Sequence, residues 1–312
     1  MITPIQNETK IPHPFYFNWE EVTSNCSRIM VANQETDSLE LVKLILDDKG
    51  YQVLTTSLDQ VLQKAENELP DLIFLGFPSN ESTLLDIPKK LKSNQKTKHI
   101  PTIISTPQDT SESRKLSEKL NADGYLPEPF TAELLLSTVK SQINHNRRVR
   151  FHKQLGIQYG RLYGKNVLFE FDPFSNYHMT VRDFIFENIS NGDDIIVVTP
   201  FTKNFVKDFP YPKNIKFFDL TSDIMISQIV EDYSQGLFTL IFDNINHFVG
   251  LTSWAHVSKY LSDINNILLK SGVTSLFLLD QTNNNKNINS IRNNFRNHLS
   301  YTKNGLNIIK LI

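Results

Sequence analysis

Apolar and polar positions along the chain follow two alternating rhythms. Short, mainly apolar runs, as at 28–32, 72–75 and 102–105, are separated by stretches in which apolar residues recur every three or four positions. The runs predict buried strands and the longer rhythm predicts amphipathic helices. Their alternation predicts a parallel sheet with helices on both faces. Strands are expected at 28–32, 51–55, 72–75, 102–105 and 124–126, with helices at 38–48, 58–68, 82–93, 111–120 and 131–143. Five such units match the count of a flavodoxin-like domain.

A second series follows, with strands expected at 166–171, 194–199, 215–219, 237–243 and 274–279 and a closing pair at 298–302 and 306–311. Lys303-Asn304-Gly305 joins that pair, and Asn-Gly is a hairpin turn signal. The polar, asparagine-rich run at 282–297 reads as a loop followed by a short helix. Between the two series lies a charged stretch without core periodicity, containing His145, Arg147, Arg148, Arg150, His152 and Lys153. The expected organisation is therefore a polar extension at 1–27, a first domain at 28–144, a basic linker at 145–160 and a second domain at 161–312. The fold class is α/β: two doubly wound parallel-sheet domains, the second ending in a hairpin.

Bulk composition narrows the function classes. With 32 basic and 34 acidic residues the net charge is -2, which supplies no overall field for nucleic acid or anionic membrane. The single cysteine, Cys26, excludes an internal disulfide and a cysteine-based zinc site, and is expected to be a small buried hydrophobe in a reducing, cytoplasmic setting. The start of the chain lacks the basic-then-apolar pattern of a secretory signal, and the apolar runs fall far short of the ~20 residues of a membrane helix. Only 11 of 312 residues are glycine, against a usual share of about 7%, so few positions can build a glycine-rich phosphate loop. The histidines show no metal-binding spacing, His247 and His256 being nine apart. No metal and no cofactor are expected. Phe15, Tyr16, Phe17 and Trp19 form an aromatic patch expected to pack on the first domain.

Four phrases carry a resemblance for residues 28–143: Arg28-Ile29-Met30-Val31, Pro70-Asp71-Leu72-Ile73-Phe74-Leu75, His99-Ile100-Pro101-Thr102-Ile103-Ile104-Ser105-Thr106, and Asn121-Ala122-Asp123-Gly124-Tyr125-Leu126-Pro127-Glu128-Pro129-Phe130. The segment resembles a response-regulator receiver domain. The resemblance implies an acidic pair for magnesium, an acceptor aspartate, a hydroxyl and a lysine at the carboxyl ends of the strands. Here those places fall on Asn33 and Gln34, on Gly76, on Thr106 and on Glu128. Neutral amides weaken a magnesium site, glycine offers nothing to phosphorylate, and Glu128 repels a phosphoryl group. Thr106 is then expected to cap the following loop, and Asp71 and Asp123 to be turn and cap residues. The helical docking face of receivers would remain for a partner or a second copy of the chain.

The second module is similar in layout to the RecA/KaiC-type ATPase core. That resemblance implies a glycine- and lysine-containing phosphate loop after the strand at 167–171. The chain instead reads Asp172-Pro173-Phe174-Ser175-Asn176-Tyr177-His178-Met179-Thr180. Proline removes an amide donor, the aromatics obstruct close approach and Asp172 opposes polyphosphate. Thr180 is expected to cap a helix at 181–189. Asp243, ending the strand at 237–243, keeps the place of the family's magnesium-binding aspartate, and structural capping is its expected role. No catalytic glutamate follows the second strand, which continues Thr199-Pro200-Phe201-Thr202.

The expected function is that of a non-enzymatic signalling regulator or scaffold acting through contacts with protein partners or with itself. Arg147, Arg148, Arg150 and Lys153 are expected to form a solvated linker or docking surface, ahead of a nucleic-acid contact. Two rivals stand beside it: a divergent KaiC-like ATPase binding nucleotide through Asp243, and a DNA-associated regulator using the basic linker.

Overall fold

The computed structural model describes residues 26–33, 35–77, 86–107, 109–200, 213–221, 223–282 and 287–312. Gln34, the aromatic patch at 15–19, and Phe201 and Thr202 lie outside the described residues.

The first series forms strands β1 (Arg28–Asn33), β2 (Gln52–Thr56), β3 (Leu72–Gly76), β4 (Thr102–Thr106) and β5 (Gly124–Pro127). They pair in parallel in the order β2-β1-β3-β4-β5, the flavodoxin-like arrangement. Strand periodicity divides the core in two. Met30, Ala32, Ile73 and Leu75 face helices α2 (Val61–Glu68) and α3 (Asp86–Ser93). Ile29, Val31, Leu72 and Phe74 face α1 (Thr36–Asp48) and α5 (Ala132–Arg147), while α4 (Ser111–Lys119) precedes β5. Cys26 is exposed rather than buried, because it precedes β1 at the sheet's edge, where its thiol donates to Gly50 O at 3.2 Å.

Thr131 caps α5, its hydroxyl accepting from Leu134 N at 3.2 Å. The helix extends to Arg147, and after two intervening residues α6 (Arg150–Leu155) begins, capped at its end by Gly156 with φ 69°. The stretch expected as a solvated linker therefore departs from that reading. Arg150, Phe151, His152, Gln154 and Leu155 are all buried, because α6 packs against the helix at 177–190 and the strand at 305–310 while Arg150 reaches Asp71 and Pro70 ahead of β3.

The second series gives β6 (Asn166–Phe171), β7 (Asp194–Thr199), β8 (Ile215–Asp219), β9 (Phe238–Phe242), β10 (Thr274–Asp280), β11 (Asn297–Thr302) and β12 (Gly305–Lys310). The order is β12-β11-β6-β10-β9-β7-β8, with β12 antiparallel to β11 and the other pairs parallel, so this sheet is mixed. Val167, Phe169 and Phe171 face α6 and α7 (Tyr177–Ser190). Leu168, Val198, Phe242 and Phe277 face α8 (Ile226–Asp232), α9 (Ile245–Leu251), α10 (Trp254–Ser271) and α11 (Ile288–Arg292). Helix α7 is buried from Met179 to Asn188 without interruption, as a helix with neighbours on every side must be.

Candidate functional site

At the carboxyl ends of the first sheet, parallel pairing sets Asn33 beside Gly76. A methyl group on Gly76 would fall 2.2 Å from Asn33 Nδ2, so the amide occupies the space a side chain at 76 would need. Asn33 is held there by its own backbone turn, Oδ1 accepting from Glu35 N at 2.9 Å. Across the sheet the Ser105 hydroxyl donates to Glu128 Oε1 at 2.7 Å. Thr106 lies 3.0 Å from the Tyr125 hydroxyl, so its oxygen reaches a neighbouring strand in addition to ending its own. Asn33, Gly76, Thr106 and Glu128 thus sit along one edge, carrying one carboxylate and no lysine.

The loop after β6, where the second resemblance would place a phosphate loop, is filled by its own side chains. Asp172 Oδ1 accepts from Phe174 N at 3.0 Å, and the Ser175 hydroxyl donates to Asp172 O at 2.6 Å, closing the loop on itself. Phe174 points out, 80% exposed. Tyr177 points in and stacks on Phe171 with ring centroids 3.9 Å apart. Burial pushes its hydroxyl pKa up, and the Asp243 and Asp280 carboxylates add to that. Thr180 is not a helix cap, since α7 already begins at Tyr177. Its buried hydroxyl donates to Gln154 Oε1 at 3.1 Å and so ties α7 to α6. Asp243 is buried and accepts the Thr199 hydroxyl at 2.8 Å, joining the ends of β9 and β7.

The densest polar cluster lies between the two sheets, where the Arg150 and Arg182 guanidiniums meet Asp71. Asp71 precedes β3 and is 3% exposed. Its Oδ1 accepts from Arg150 Nη1 and from Arg182 Nη1, each at 2.8 Å, and its Oδ2 accepts from Arg28 N at 2.8 Å. Arg150 Nη2 also donates to Pro70 O at 3.1 Å, and its Nε lies 2.9 Å from Asp183 Oδ2. Burial acts to raise the Asp71 carboxyl, but the Arg182 and Arg150 guanidiniums overcome it and hold the group well below the usual carboxylate range. For Asp183 burial wins over Arg150 and Arg182, and its pKa is pushed up to about 6. His99 stands 3.9 Å from Asp183 and is kept neutral, first by burial and then by Arg150, Lys92, Lys98 and Lys153. One turn further along α7, Glu187 takes His152 N at 3.2 Å and also contacts the His152 ring.

The basic cluster is therefore split. Arg150 is corrected from a candidate docking or nucleic-acid contact to an inward-facing counter-ion, because two buried carboxylates claim its guanidinium. Arg147 is half-buried over the Phe186 ring, 4.8 Å from its centroid, and donates to Ser27 Oγ at 3.0 Å. Arg148 and Lys153 are exposed. Sequence reasoning missed Arg182, Asp183, Glu187 and His99. The available signal was the pattern of α7, where Arg182-Asp183 and Glu187 interrupt an apolar stretch that has no polar face.

This seam lies at the amino ends of the first sheet, and the site at Asn33 and Gly76 lies at the opposite edge. The loop before β4 completes it: Gln95 Nε2 donates to Leu306 O at 3.0 Å and to Gln154 O at 3.3 Å.

No family model matches the chain. Against curated proteins, 115 residues are 28% identical to the phosphate regulon transcriptional regulatory protein PhoB of Escherichia coli, covering 36% of this chain and 50% of that protein. The alkaline phosphatase synthesis transcriptional regulatory protein PhoP of Bacillus subtilis is 30% identical over 115 residues, 36% of this chain and 47% of that protein. Among solved structures, a CheY-like response regulator receiver domain protein from Methanospirillum hungatei is 23% identical with a TM-score of 0.35, covering 39% of this chain and 96% of that one. The chain spans about half the length of the two curated relatives named here. With the order of the first sheet, the similarity to the two curated regulators supports a receiver-type domain in the N-terminal part of the chain.

Proposed function

We propose that the chain is a non-enzymatic signalling regulator: a receiver-type domain without phosphoryl chemistry, joined to a RecA-like domain without a phosphate loop, acting through its surfaces. The observation that carries this reading is the pairing of Gly76 with Asn33. The acceptor position has no carboxylate, and the space for one is taken by a neutral amide. Glu128, in the lysine's place, is engaged by the Ser105 hydroxyl and adds negative charge where a phosphoryl group would need positive charge. The RecA-like part of the reading is supported by β6 in the interior of a seven-stranded sheet, leading through a short loop into the buried helix α7. Counted back from Thr180, Pro173 and His178 stand in the places of the phosphate-binding glycines and Met179 in that of the lysine. The similarity to regulators of transcription supports a signalling role, and protein partners are the ligands this reading implies.

The test is intact-mass spectrometry after incubation with acetyl phosphate and magnesium. No mass gain is expected. A single phosphoryl addition mapping to residues 28–144 would overturn the reading.

A further inference from the structure

At the amino edge of the second sheet, remote from the Tyr177 loop, lies an open groove of about 480 Å³. That volume suits a small molecule. Tyr163, Leu237, Phe238 and Val273 give it apolar walls, with Tyr163 42% and Leu237 74% exposed. Buried Asp193 lines the same groove. Its Oδ2 accepts the Thr239 hydroxyl at 2.7 Å, and among the described residues no basic side chain pairs with it. The nearby Lys216 is engaged elsewhere, 3.8 Å from Asp194 and 4.4 Å from the Tyr233 ring centroid.

The backbone adds to this electronegative character. Helix α7, of 14 residues, and α10, of 18, both end at the groove through Asn191 and Gly272, and the shorter α8 ends beside it before Ser234. A helix carboxyl terminus carries partial negative charge from its unshared carbonyls. A carboxylate without a counter-ion, helix carboxyl ends and an aromatic wall all favour one ligand class.

We propose that this groove binds an organic cation, a primary amine or guanidinium carried on an apolar or aromatic body, with Asp193 as its counter-ion. Burial raises the Asp193 carboxyl, and a bound cation would favour its charged form. The site is independent of the reading given under Proposed function.

Calorimetry on the full chain with tryptamine and its uncharged analogue tryptophol tests it. Tryptamine is expected to bind at least about tenfold more tightly than tryptophol, and Asp193→Asn to remove that difference while keeping the Thr239 hydrogen bond. Gly236→Trp should abolish binding of both. A Cβ there would meet nothing within 4 Å, and a thermal melt matching the native chain's establishes that this variant folds, so that it decides the matter even if Asp193→Asn does not. Acetyl-Phe-Arg-amide distinguishes the source: tighter binding than tryptamine assigns the groove to a basic side chain of a partner protein, weaker binding to a free amine. Equal affinity for tryptamine and tryptophol, unchanged tryptamine binding in Gly236→Trp, or no saturable tryptamine binding would overturn the proposal.

Discussion

Asp71 and Arg182, 111 positions apart in sequence, meet through a paired contact, Nη1 to Oδ1 at 2.8 Å and Nη2 to Oδ2 at 3.2 Å. Both groups are almost fully buried, so the pair is bound by the asymmetry of buried charge: intact it contributes modestly, but removing one partner strands the other. Asp71→Ala takes the carboxylate from Arg182 and leaves Arg150 with Asp183 alone, and should cost about 3–5 kcal/mol in chemical denaturation. Glu68→Ala removes a half-exposed partner 4.0 Å from Arg28 and should cost under about 1 kcal/mol. Equal losses would remove the seam from the account of stability.

Asp183 gives the seam a pH dependence. A carboxyl whose pKa is higher folded than unfolded stabilises the fold most below its ordinary value of 3.8, and that contribution disappears as pH rises through about 6. Asp71 has the opposite sign, its contribution being present above the ordinary value and lost as pH falls toward its folded pKa. The stability of the native chain relative to Asp183→Asn should therefore fall between pH 4 and pH 7, by at most about 3 kcal/mol. Urea titrations at several pH values measure this, and a difference that rises with pH would contradict the assignment.

The Asn33 amide makes position 76 intolerant of a side chain. Gly76→Ala must swing that amide away from Glu35 N, at a cost of about 1–2 kcal/mol. In an Asn33→Ala background the same substitution should be near neutral, giving a coupling of about 1 kcal/mol in a double-mutant cycle. Additive effects would mean that the two residues do not share the space.

Where the loop after β6 enters α7, Tyr177 and Phe174 should behave oppositely. Tyr177→Ala empties a buried stacking position and should cost about 3–5 kcal/mol. Phe174→Ser, at a site 80% exposed, should stay within about 0.5 kcal/mol.

Neighbouring arginines give a direct test of the split basic cluster. Arg148→Glu should leave thermal unfolding unchanged. Arg150→Glu adds a third carboxylate beside Asp71 and Asp183 and should prevent stable folding. Similar behaviour of the two variants would restore the solvated-linker reading.

Strand periodicity made both sheets legible, because strands buried on two faces read as apolar runs whatever surrounds them. The Asn-Gly turn at 304–305 likewise announced the closing hairpin. At the receiver edge, the identities of Gly76 and Glu128 were readable, but the Asn33 amide filling the space at 76 was not. That contact depends on the register of β1 against β3. The seam was hidden for a related reason. Arg150 reads as linker charge and Asp71 as a turn residue, since local pattern carries no trace of partners 79 and 111 positions away. Thr180 was misplaced by a single turn of helix, the distance over which end signals are least sharp.

The span between Asp71 and its second guanidinium also sets a timetable during synthesis. Domains fold from the amino end as the ribosome delivers them, at about 5–20 residues per second. The receiver-type sheet can close once β5 is made at Pro127, while Arg182, 55 residues further on, has yet to be made, an interval of roughly 3–11 s. Through that interval the Asp71 carboxylate is left to water, so the nascent first domain presents to chaperones a hydrated acidic edge that the finished protein conceals.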